Sequence, residues 1–453
     1  MNIQLLINIH LFIILLTILP FYNTELVIPF ESKLCKANQK NIFLSDYYAQ
    51  FLYTPIKIGS NKQKLEVALK LNRYITYLIG SNVSNLKSES FNEKNSETYE
   101  IVEKKAIKSN ADEFFSSIKS TDNIIFGENA NFNKFLFYLS QEQFFDETGH
   151  IGLKKAPISL DTHLNGDGFI DQLKSKSLIK SQTFYFKYEL KDEKELKYKG
   201  NLVIGGMPHE IEPSELYNIN NYVHSYVDFT ELNTRWSIKI SSVRYGNQTV
   251  TELDSAEFST TLGLIEAPIK FFSIFGYFFK NNGCFGDYNS ENKDYYYMYC
   301  KKDVDVSKFQ NLVFYTQEKE MTFTLTYKDL FKEIGEYNYF LILFNEDLNE
   351  WKFGHIFLKK YTMVFDADKK TIGYYYYQPS NEIITSAYTK FFTAVVIFII
   401  IGVVLTIIIV GLLVYICYFK NKKRKTRANE LDEHFDYTSK DDDKQQENNK
   451  LGV

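Results

Sequence analysis

Apolar and polar residues alternate along most of the chain between Glu25 and Pro379. Such alternation predicts β-strands when it falls in short runs rich in β-branched and aromatic residues and bounded by turn residues. The runs are FLYTPIKIGS, KLEVALKLNRYITYLIGS, TFYFKYELKD, NLVIGGM, RWSIKISSVRYGNQTV, NLVFYTQEKEMTFTLTY and YFLILFNED. The last stretch, Trp351–Tyr377, alternates in the same way and predicts two strands joined by a turn at Asp368-Lys369-Lys370.

Helical periodicity is confined to two segments. Asp167–Ile179 places apolar residues on one helical face, and Ala267–Gly283 has a proline near its start and a glycine at its end. We therefore expect an all-β region with two small helices.

A short pattern occurs twice and predicts two related lobes with a cleft between them. Its first copy lies in Thr148–Leu153, where Gly149-His150 precedes an isoleucine. Its second copy lies in Phe353–Phe357, where Gly354-His355 does the same. The two histidines could face each other as a metal-binding or pH-sensing pair. The simpler interpretation is a single polar residue beside a glycine turn in each lobe.

Two long apolar segments flank the strand-rich region. The first, Leu5–Leu19, predicts a signal peptide over residues 1–24, with a short membrane anchor as the alternative. The second, Phe391–Phe419, has no charge, and as a helix it would be about 43 Å long, enough to cross a bilayer. The basic residues of Lys420–Arg427 follow it, and such residues gather on the cytoplasmic side. We expect a single-pass type I membrane protein with a transmembrane helix at 391–419 and a disordered cytoplasmic tail at 420–453. The ectodomain would be extracellular or in the lumen of the secretory or endolysosomal system.

Composition narrows the functional classes only slightly. The chain has 453 residues and a formal net charge of −4, so no basic surplus indicates a nucleic-acid partner. Tyr (34) and Phe (39) are abundant, and because Asn, Lys and Ile are also common, AT-rich coding bias accounts for part of this abundance. No motif predicts a cofactor or a metal.

Four cysteines and two sequons fit an oxidising compartment. We predict a disulfide between Cys284 and Cys300, because a zinc site would need further ligands nearby. Cys35 has no clear partner, and the fourth cysteine lies in the predicted span. Asn82 and Asn247 stand in glycosylation sequons.

Six segments, in order over roughly Asp46 to Tyr377, resemble the pepsin-like aspartic peptidases. YYAQFLYTPIKIGSNKQKLEVALKL is similar to the opening hairpin of that family, GHIGLKKAPIS to its apolar-Gly-Leu-Gly turn, and FIDQLKSKSLIKSQTFYFKYEL to the helix and strand that follow. GNLVIGGMP is similar to its Gly-Gly turn and FTELNTRWSIKISSVRYGNQ to the strand pair before the second active-site loop. WKFGHIFLKKYTMVFDADKKTIGYY is similar to the closing hairpin that supports this loop. The resemblance implies an all-β, bilobal, pepsin-like double β-barrel with few short helices. Its N-terminal lobe would span residues 25–190 and its C-terminal lobe residues 191–379.

Members of this family cleave peptides with two aspartates, one in an Asp-Thr/Ser-Gly turn of each lobe. Two carboxyl groups about 3 Å apart share one proton, so one can act as a base on water while the other donates. In the matching first turn of this chain, LKLNRY, the aspartate position falls on Lys70 or Leu71. In the second, aligned backward from Pro268, it falls on Ser259, followed by Thr260-Thr261. The sequence therefore predicts no catalytic acid at either position.

The flap, which in the family closes over substrate with a Tyr-Gly tip, is also altered. The matching region, Tyr99–Gly127, contains no Tyr-Gly. We therefore expect peptidase activity to be lost, and we expect the cleft floor, namely Leu71, Asn72, Ser259 and Thr260, to contact a ligand instead.

Three functions stay open at this point. The first is a membrane-tethered pseudopeptidase that binds a peptide or protein in the old cleft. The second is an active membrane-anchored aspartic endopeptidase that uses other acids. The third is an interaction protein that binds its partner elsewhere.

Overall fold

The structure is a computed structural model in which two compact units, residues 1–377 and 378–453, can be distinguished. The residues that the structure describes are 25–34, 49–83, 89–109, 114–127, 130–140, 149–155, 166–189, 197–214, 216–227, 229, 234–251, 254–288, 295–317, 321–376, 402, 405–406 and 409–423. The signal peptide predicted for residues 1–24 and Cys35 lie outside them.

The first unit is built mainly of β-strands. In the described residues they are β1 Leu26–Leu34, β2 Gln50–Ile58, β3 Gln63–Lys70, β4 Tyr77–Ile79, β5 Glu100–Ser109, β6 Phe114–Phe126, β7 Ala130–Ser140, β8 His150–Gly152, β9 Thr183–Glu189, β10 Lys199–Ile204, β11 Tyr222–Tyr226, β12 Ser237–Tyr245, β13 Gln248–Val250, β14 Asp254–Phe258, β15 Ile265–Pro268, β16 Phe285–Tyr288, β17 Tyr296–Lys301, β18 Leu312–Thr316, β19 Thr322–Leu325, β20 Phe331–Ile334, β21 Tyr337–Phe340, β22 Ile342–Asn345, β23 Trp351–Phe353, β24 Val364–Asp366 and β25 Thr371–Tyr375. Every run that alternation marked as a strand contains one or two of them.

The strands form two large sheets. The first has thirteen strands in the order β11-β25-β24-β9-β10-β1-β2-β3-β8-β4-β7-β6-β5. The second has twelve, with the path β19-β18-β12-β14-β23-β15-β22-β17-β21-β20, and with β13 and β16 paired to β12 and β17. Four strands that follow residue 190, namely β10, β11, β24 and β25, join the first sheet. The sheets therefore do not divide at residue 190, where the predicted lobes meet.

Helices are short and lie between strands. In the described residues of the first unit the α-helices are α1 Phe169–Ser175, α2 Pro208–Ile211, α3 Phe272–Asn281, α4 Tyr327–Leu330 and α5 His355–Lys360. The predicted helices at Asp167–Ile179 and Ala267–Gly283 correspond to α1 and α3, each shorter than predicted. Pro268 ends strand β15 and is also the N-cap of a 3-10 turn, Ile269–Phe271, that leads directly into α3.

The prediction of one continuous strand from Trp351 to the turn at Asp368 is wrong. The chain forms β23, then helix α5, and only then β24. His355 to Leu358 are four consecutive buried residues, which a strand with one solvated face does not allow. The hairpin itself is present, because β24 and β25 pair with Asp366 opposite Thr371.

A cluster of aromatic rings holds the elements around the predicted second active-site loop. Trp236, just before β12, packs its indole 5.3 Å from the ring of Phe365 and 5.6 Å from that of Phe184. The indole Nε1 donates a hydrogen bond of 2.8 Å to the carbonyl of Leu153. Full burial of such a side chain contributes about 1.5–3 kcal/mol. The cluster thus fixes β12 and β24 against the segment that follows β8.

In the second unit, residues 402, 405–406 and 409–423 are helical. Within the part of the chain that the structure describes, no helix is long and apolar enough to cross a membrane. Much of the predicted span at 391–419, and most of the tail at 420–453, lies outside the described residues.

Candidate functional site in the paired loops

The two loops that should carry the aspartates occupy equivalent places in the two sheets. Strand β3 runs parallel to β8 with Lys70 opposite Gly152. Strand β14 runs parallel to β23, and the next residue, Ser259, donates its N–H to the carbonyl of Phe353, beside Gly354. Lys70 and Ser259 therefore stand at the same point of the repeat.

Both glycines are required by close approach of the main chain. A Cβ atom on Gly152 would lie 2.5 Å from the carbonyl oxygen of Arg73. A Cβ atom on Gly354 would lie 2.2 Å from the carbonyl oxygen of Leu262. Arg73 and Leu262 are each three residues beyond the aspartate position, so the two loops fold over their glycines in the same way.

A second pair of contacts confirms this register. Tyr77, seven residues after Lys70, pairs with His150, which is two residues before Gly152. Glu266, seven residues after Ser259, pairs with Lys352, which is two residues before Gly354. Of the two candidates for the first aspartate position, the pairing selects Lys70 rather than Leu71.

The loops are joined by one threonine hydroxyl. Thr260 Oγ1 donates a hydrogen bond of 2.6 Å to the carbonyl of Leu69 and accepts one of 3.2 Å from the N–H of Leu71. The carbonyl of Thr260 also accepts a hydrogen bond of 3.3 Å from the N–H of Leu52. Leu71, the counterpart of Thr260 in the first loop, has no hydroxyl and cannot return the interaction. The first loop therefore provides no matching side-chain hydrogen bond at this position.

This joint changes the expected roles of the cleft-floor residues. Leu71 and Thr260 are each only 1% exposed, so their side chains are buried instead of facing a ligand. Asn72 is exposed and Ser259 is half-buried. Among the four residues predicted to contact a ligand, these two have side chains that a ligand can reach.

The residues at the aspartate positions cannot reproduce the carboxyl pair. Lys70 is 5% exposed, and its Nζ atom lies 5.6 Å from the centroid of the Phe51 ring. Ser259 Oγ lies 3.1 Å from Thr261 Oγ1, a hydrogen-bond distance. An ammonium group has no acceptor and a serine hydroxyl stays neutral, so the two cannot share a proton as two carboxyl groups do.

The nearest acids on either side of the second loop are held by cations. Segments 69–76 and 258–265 contain no Asp or Glu. Glu257 lies 3.5 Å from Arg235, and Glu266 lies 3.2 Å from Lys352. Burial raises the pKa of Glu257, and the positive charge of Arg235 partly opposes this effect.

His355 is fully buried at the start of helix α5. Its Nε2 atom is 2.8 Å from the carbonyl oxygen of Gln50, and its Nδ1 atom is 3.1 Å from the hydroxyl of Tyr188. A neutral ring satisfies both contacts, with Nε2–H donating to the carbonyl and Nδ1 accepting from Tyr188. Burial lowers the pKa of His355 to about 4. With both ring nitrogens engaged, His355 is not placed as a base for Ser259.

The alternative interpretation, in which His150 and His355 face each other, is not supported by their positions. His150 precedes Gly152 by two residues and stacks on Tyr77 at 5.3 Å, whereas His355 follows its glycine and contacts Gln50 and Tyr188. Among the described residues, no three His, Cys, Asp or Glu side chains are grouped as a metal site would require.

The remaining predicted features are distributed over the first unit. Cys284 and Cys300 form the predicted disulfide. Both sequon asparagines, Asn82 and Asn247, are exposed. In the region matched to the flap, β5 and β6 pair antiparallel, and residues 110–113 between them lie outside the described residues.

Comparisons with known proteins agree with this geometry. The sequence model of the eukaryotic aspartyl protease family matches residues 51–375. A search of solved structures finds similarity to the aspartic proteinase from Irpex lacteus, with a TM-score of 0.55 and 15% identity over 78% of this chain and 97% of that chain. A search of curated protein sequences gives no significant match. The chain belongs to the eukaryotic aspartyl protease family and has its bilobal, all-β fold.

Proposed function

We propose that this family member is a pseudopeptidase, in which the cleft between the lobes binds a peptide or protein without cleaving it. The observation that carries the proposal is the occupancy of the two aspartate positions by Lys70 and Ser259, which stand at equivalent points of the repeat. The flap sequence and the engagement of Glu257 and Glu266 by cations support it.

Aspartic-peptidase chemistry needs an ionised and a protonated carboxyl group at one water molecule. A lysine and a serine supply neither a general base nor a matching acid near neutral pH. Ser259 would need an activating base to act as a nucleophile itself. Its side-chain hydroxyl lies at hydrogen-bond distance from the hydroxyl of Thr261 and accepts from the N–H of that residue. An active endopeptidase that uses other acids is therefore the less favoured alternative.

A role in binding is favoured because the scaffold of the cleft floor is retained. Gly152, Gly354 and the Thr260 joint keep both loops in place without the acids. Asn72 and Ser259 offer polar groups at this floor. Hydrogen bonds from such groups orient a bound peptide, while apolar contacts supply most of its affinity.

The sequence supports placing this domain on a membrane. A charge-free segment at 391–419 followed by Lys420–Arg427 is typical of a type I span with a short cytoplasmic tail. The proposed protein thus exposes its cleft outside the cytosol and would present a bound partner at a membrane surface.

Activity and binding are tested on the full-length protein in detergent. A broad peptide library is incubated with it from acid to neutral pH, with a pepsin-like peptidase as the positive control. We expect no cleavage. Turnover that is blocked by a transition-state-mimicking pepsin inhibitor would show that the protein is an active aspartic peptidase.

Binding of the uncleaved library is then compared between two serine-to-arginine variants. Ser259→Arg fills the floor of the cleft, whereas Ser273→Arg adds the same side chain at an exposed position of helix α3. We expect the first to abolish retention of the bound peptides and the second to leave it unchanged. Equal retention by both variants would place the ligand outside the cleft.

A further inference from the structure

The second sheet has a polar groove where β12 leads into the turn before β13. Its volume of about 530 Å³ is within the size range of small-molecule sites. Arg244, Val313 and Thr324, which lie opposite one another in β12, β18 and β19, line one side. Gly246 and the segment 307–311 complete the lining. Three paired strands thus supply one wall of the groove, and a loop supplies the other.

This groove is separate from the cleft floor. The N–H of Phe258, next to Ser259, donates to the carbonyl of Trp236 at the start of β12. Arg244 is eight residues further along the chain, a distance of about 27 Å in an extended strand. A small ligand in the groove would therefore not touch the residues at the aspartate positions, and its binding does not depend on the proposed function.

Arg244 is an exposed cation that packs over an aromatic ring. Its Cζ atom lies 5.3 Å from the centroid of the Tyr315 ring. Tyr315 pairs with Ser242, two residues before Arg244, so both side chains are on the same face of the sheet. Arg244 forms no ion pair with any residue that the structure describes. A guanidinium group that rests on a ring in this way keeps the N–H groups of its edge available to a ligand.

The loop adds a second cation and two neutral amides. Lys308, Gln310 and Asn311 are exposed in the lining. The Oε1 atom of Gln310 lies where Gly246 has no side chain, since a Cβ atom at Gly246 would be 1.5 Å from it. Gly246 also has a φ of +56°, which favours glycine. The loop is therefore packed directly against the turn that follows β12.

No carboxyl group belongs to the lining of the groove. The nearest acid along the loop, Asp305, accepts hydrogen bonds from the N–H and the hydroxyl of Ser307. These hydrogen bonds, together with the charge of Lys308, lower the pKa of Asp305. Asp305 thus offsets part of the charge of Lys308, and Arg244 is the main cation that the groove offers to a ligand.

We propose that this groove binds an acidic saccharide, with Arg244 holding its sulfate or carboxylate group and the loop amides holding its hydroxyl groups. The guanidinium fork matches such oxyanions with two parallel hydrogen bonds. The side-chain amides of Gln310 and Asn311 each offer donors and an acceptor, which suits hydroxyl groups. The apolar side chains of the lining, Phe309 and Val313, are buried, which disfavours an apolar ligand.

Calorimetric titration of the full-length protein in detergent tests the ligand class with three related sugars. These are 3′-sulfated lactose, 3′-sialyllactose and lactose, which differ in the acidic group. We expect an acidic sugar to bind at least about tenfold more tightly than lactose, because lactose has no group for a charge-assisted hydrogen bond. The acidic sugar that binds more tightly identifies the oxyanion that the groove takes.

Variants of one residue then test the place of binding. Arg244→Gln should raise the dissociation constant of the acidic sugar at least about tenfold. Arg244→Lys keeps the charge without the fork and should raise it less. Lys64→Gln, at an exposed cation of β3 in the first sheet, is the control and should change nothing. Thermal melting shows whether each variant is folded.

Asn247 directly follows Gly246 and stands in a sequon, so a glycan on it would reach the groove. The titrations are therefore repeated on Asn247→Gln. Acidic sugars that bind this variant but not the wild type would overturn the proposal, because the groove would then belong to the glycan of the chain itself. The proposal is also overturned if no acidic sugar binds, if lactose binds as tightly, or if Arg244→Gln binds like the wild type.

Discussion

Acidification should lower the stability of this protein because of the buried histidine at the start of helix α5, His355. Burial lowers the pKa of His355 from its ordinary value of 6.5 to about 4. Between these values the unfolded chain binds a proton that the folded protein does not bind. The free energy of unfolding therefore falls as the pH falls from 6.5 to 4, and the contribution of His355 is fully present only above this window.

The size of the effect follows from the shift. Each pKa unit corresponds to about 1.36 kcal/mol, so the whole shift amounts to about 3 kcal/mol. Burial of Glu257, which raises the pKa of that carboxyl, acts in the opposite direction over part of the same range. The prediction is therefore made for a difference between variants, in which all other groups cancel.

Urea unfolding of the full-length protein at several pH values measures this difference. His355→Gln keeps an N–H that can reach the carbonyl of Gln50 but removes the titrating ring. Its free energy of unfolding should fall by about 3 kcal/mol less than that of the wild type between pH 6.5 and 4. His224→Gln, at a half-exposed histidine of β11, is the matched control. If His355→Gln and the wild type lose the same free energy, the histidine does not carry the acid sensitivity.

Three further predictions concern stability. Thr260→Val should lower the free energy of unfolding by about 1–3 kcal/mol, because it leaves the carbonyl of Leu69 buried without its donor; Thr261→Val, the control, should cost clearly less in the same urea titration. Cys284→Ser should lower the melting temperature and remove its dependence on reducing agent, since a disulfide that spans 16 residues contributes about 3 kcal/mol. Gly354→Ala should prevent folding or cost more than about 3 kcal/mol, because its Cβ atom would collide with main-chain oxygens; near-normal melting would contradict the close approach.

The strands were predictable because alternation is a local signal. β2 shows it clearly, with interior and partly exposed positions alternating toward its end. Helix α5 was missed although a signal for it exists. Phe353, Phe357 and Tyr361 are spaced by four residues, and their rings contact one another at 4.0 and 5.1 Å. Spacing by four is helical, but the strands on both sides of this segment concealed it.

The helical segment that leads into α3 begins at Ile269, two residues later than predicted, for a different reason. A proline is common at the first position of a helix, so Pro268 suggested a helix start there. In the structure, Ile265 to Pro268 pair with Ile342 to Asn345 in parallel strands. This pairing depends on residues more than seventy positions away and is invisible to any local pattern.

The cleft floor was only half predictable. The loss of the acids can be seen in the sequence once the two turns are aligned. The role of Thr260 cannot, because its hydroxyl bonds Leu69, which lies 191 residues away in the chain. The choice between Lys70 and Leu71 likewise required the pairing of β3 with β8. Thr260, which the sequence predicted to contact a ligand, thus hydrogen-bonds the first loop instead.

Comparison of the two loops distinguishes the residues that the fold requires from those that only peptidase chemistry requires. At Gly152 and Gly354 any side chain would collide with main-chain oxygens, and Thr260 satisfies two buried main-chain groups. A carboxyl pair at positions 70 and 259 has the opposite effect on stability, because burial and mutual repulsion both oppose its ionisation. On the proposed function, having Lys70 and Ser259 in place of the two acids therefore does not remove any contribution that the acids made to the stability of the fold. Replacing either glycine or the threonine would disrupt the packing of the two loops, so on the proposed function these three residues keep the family fold without the catalytic acids.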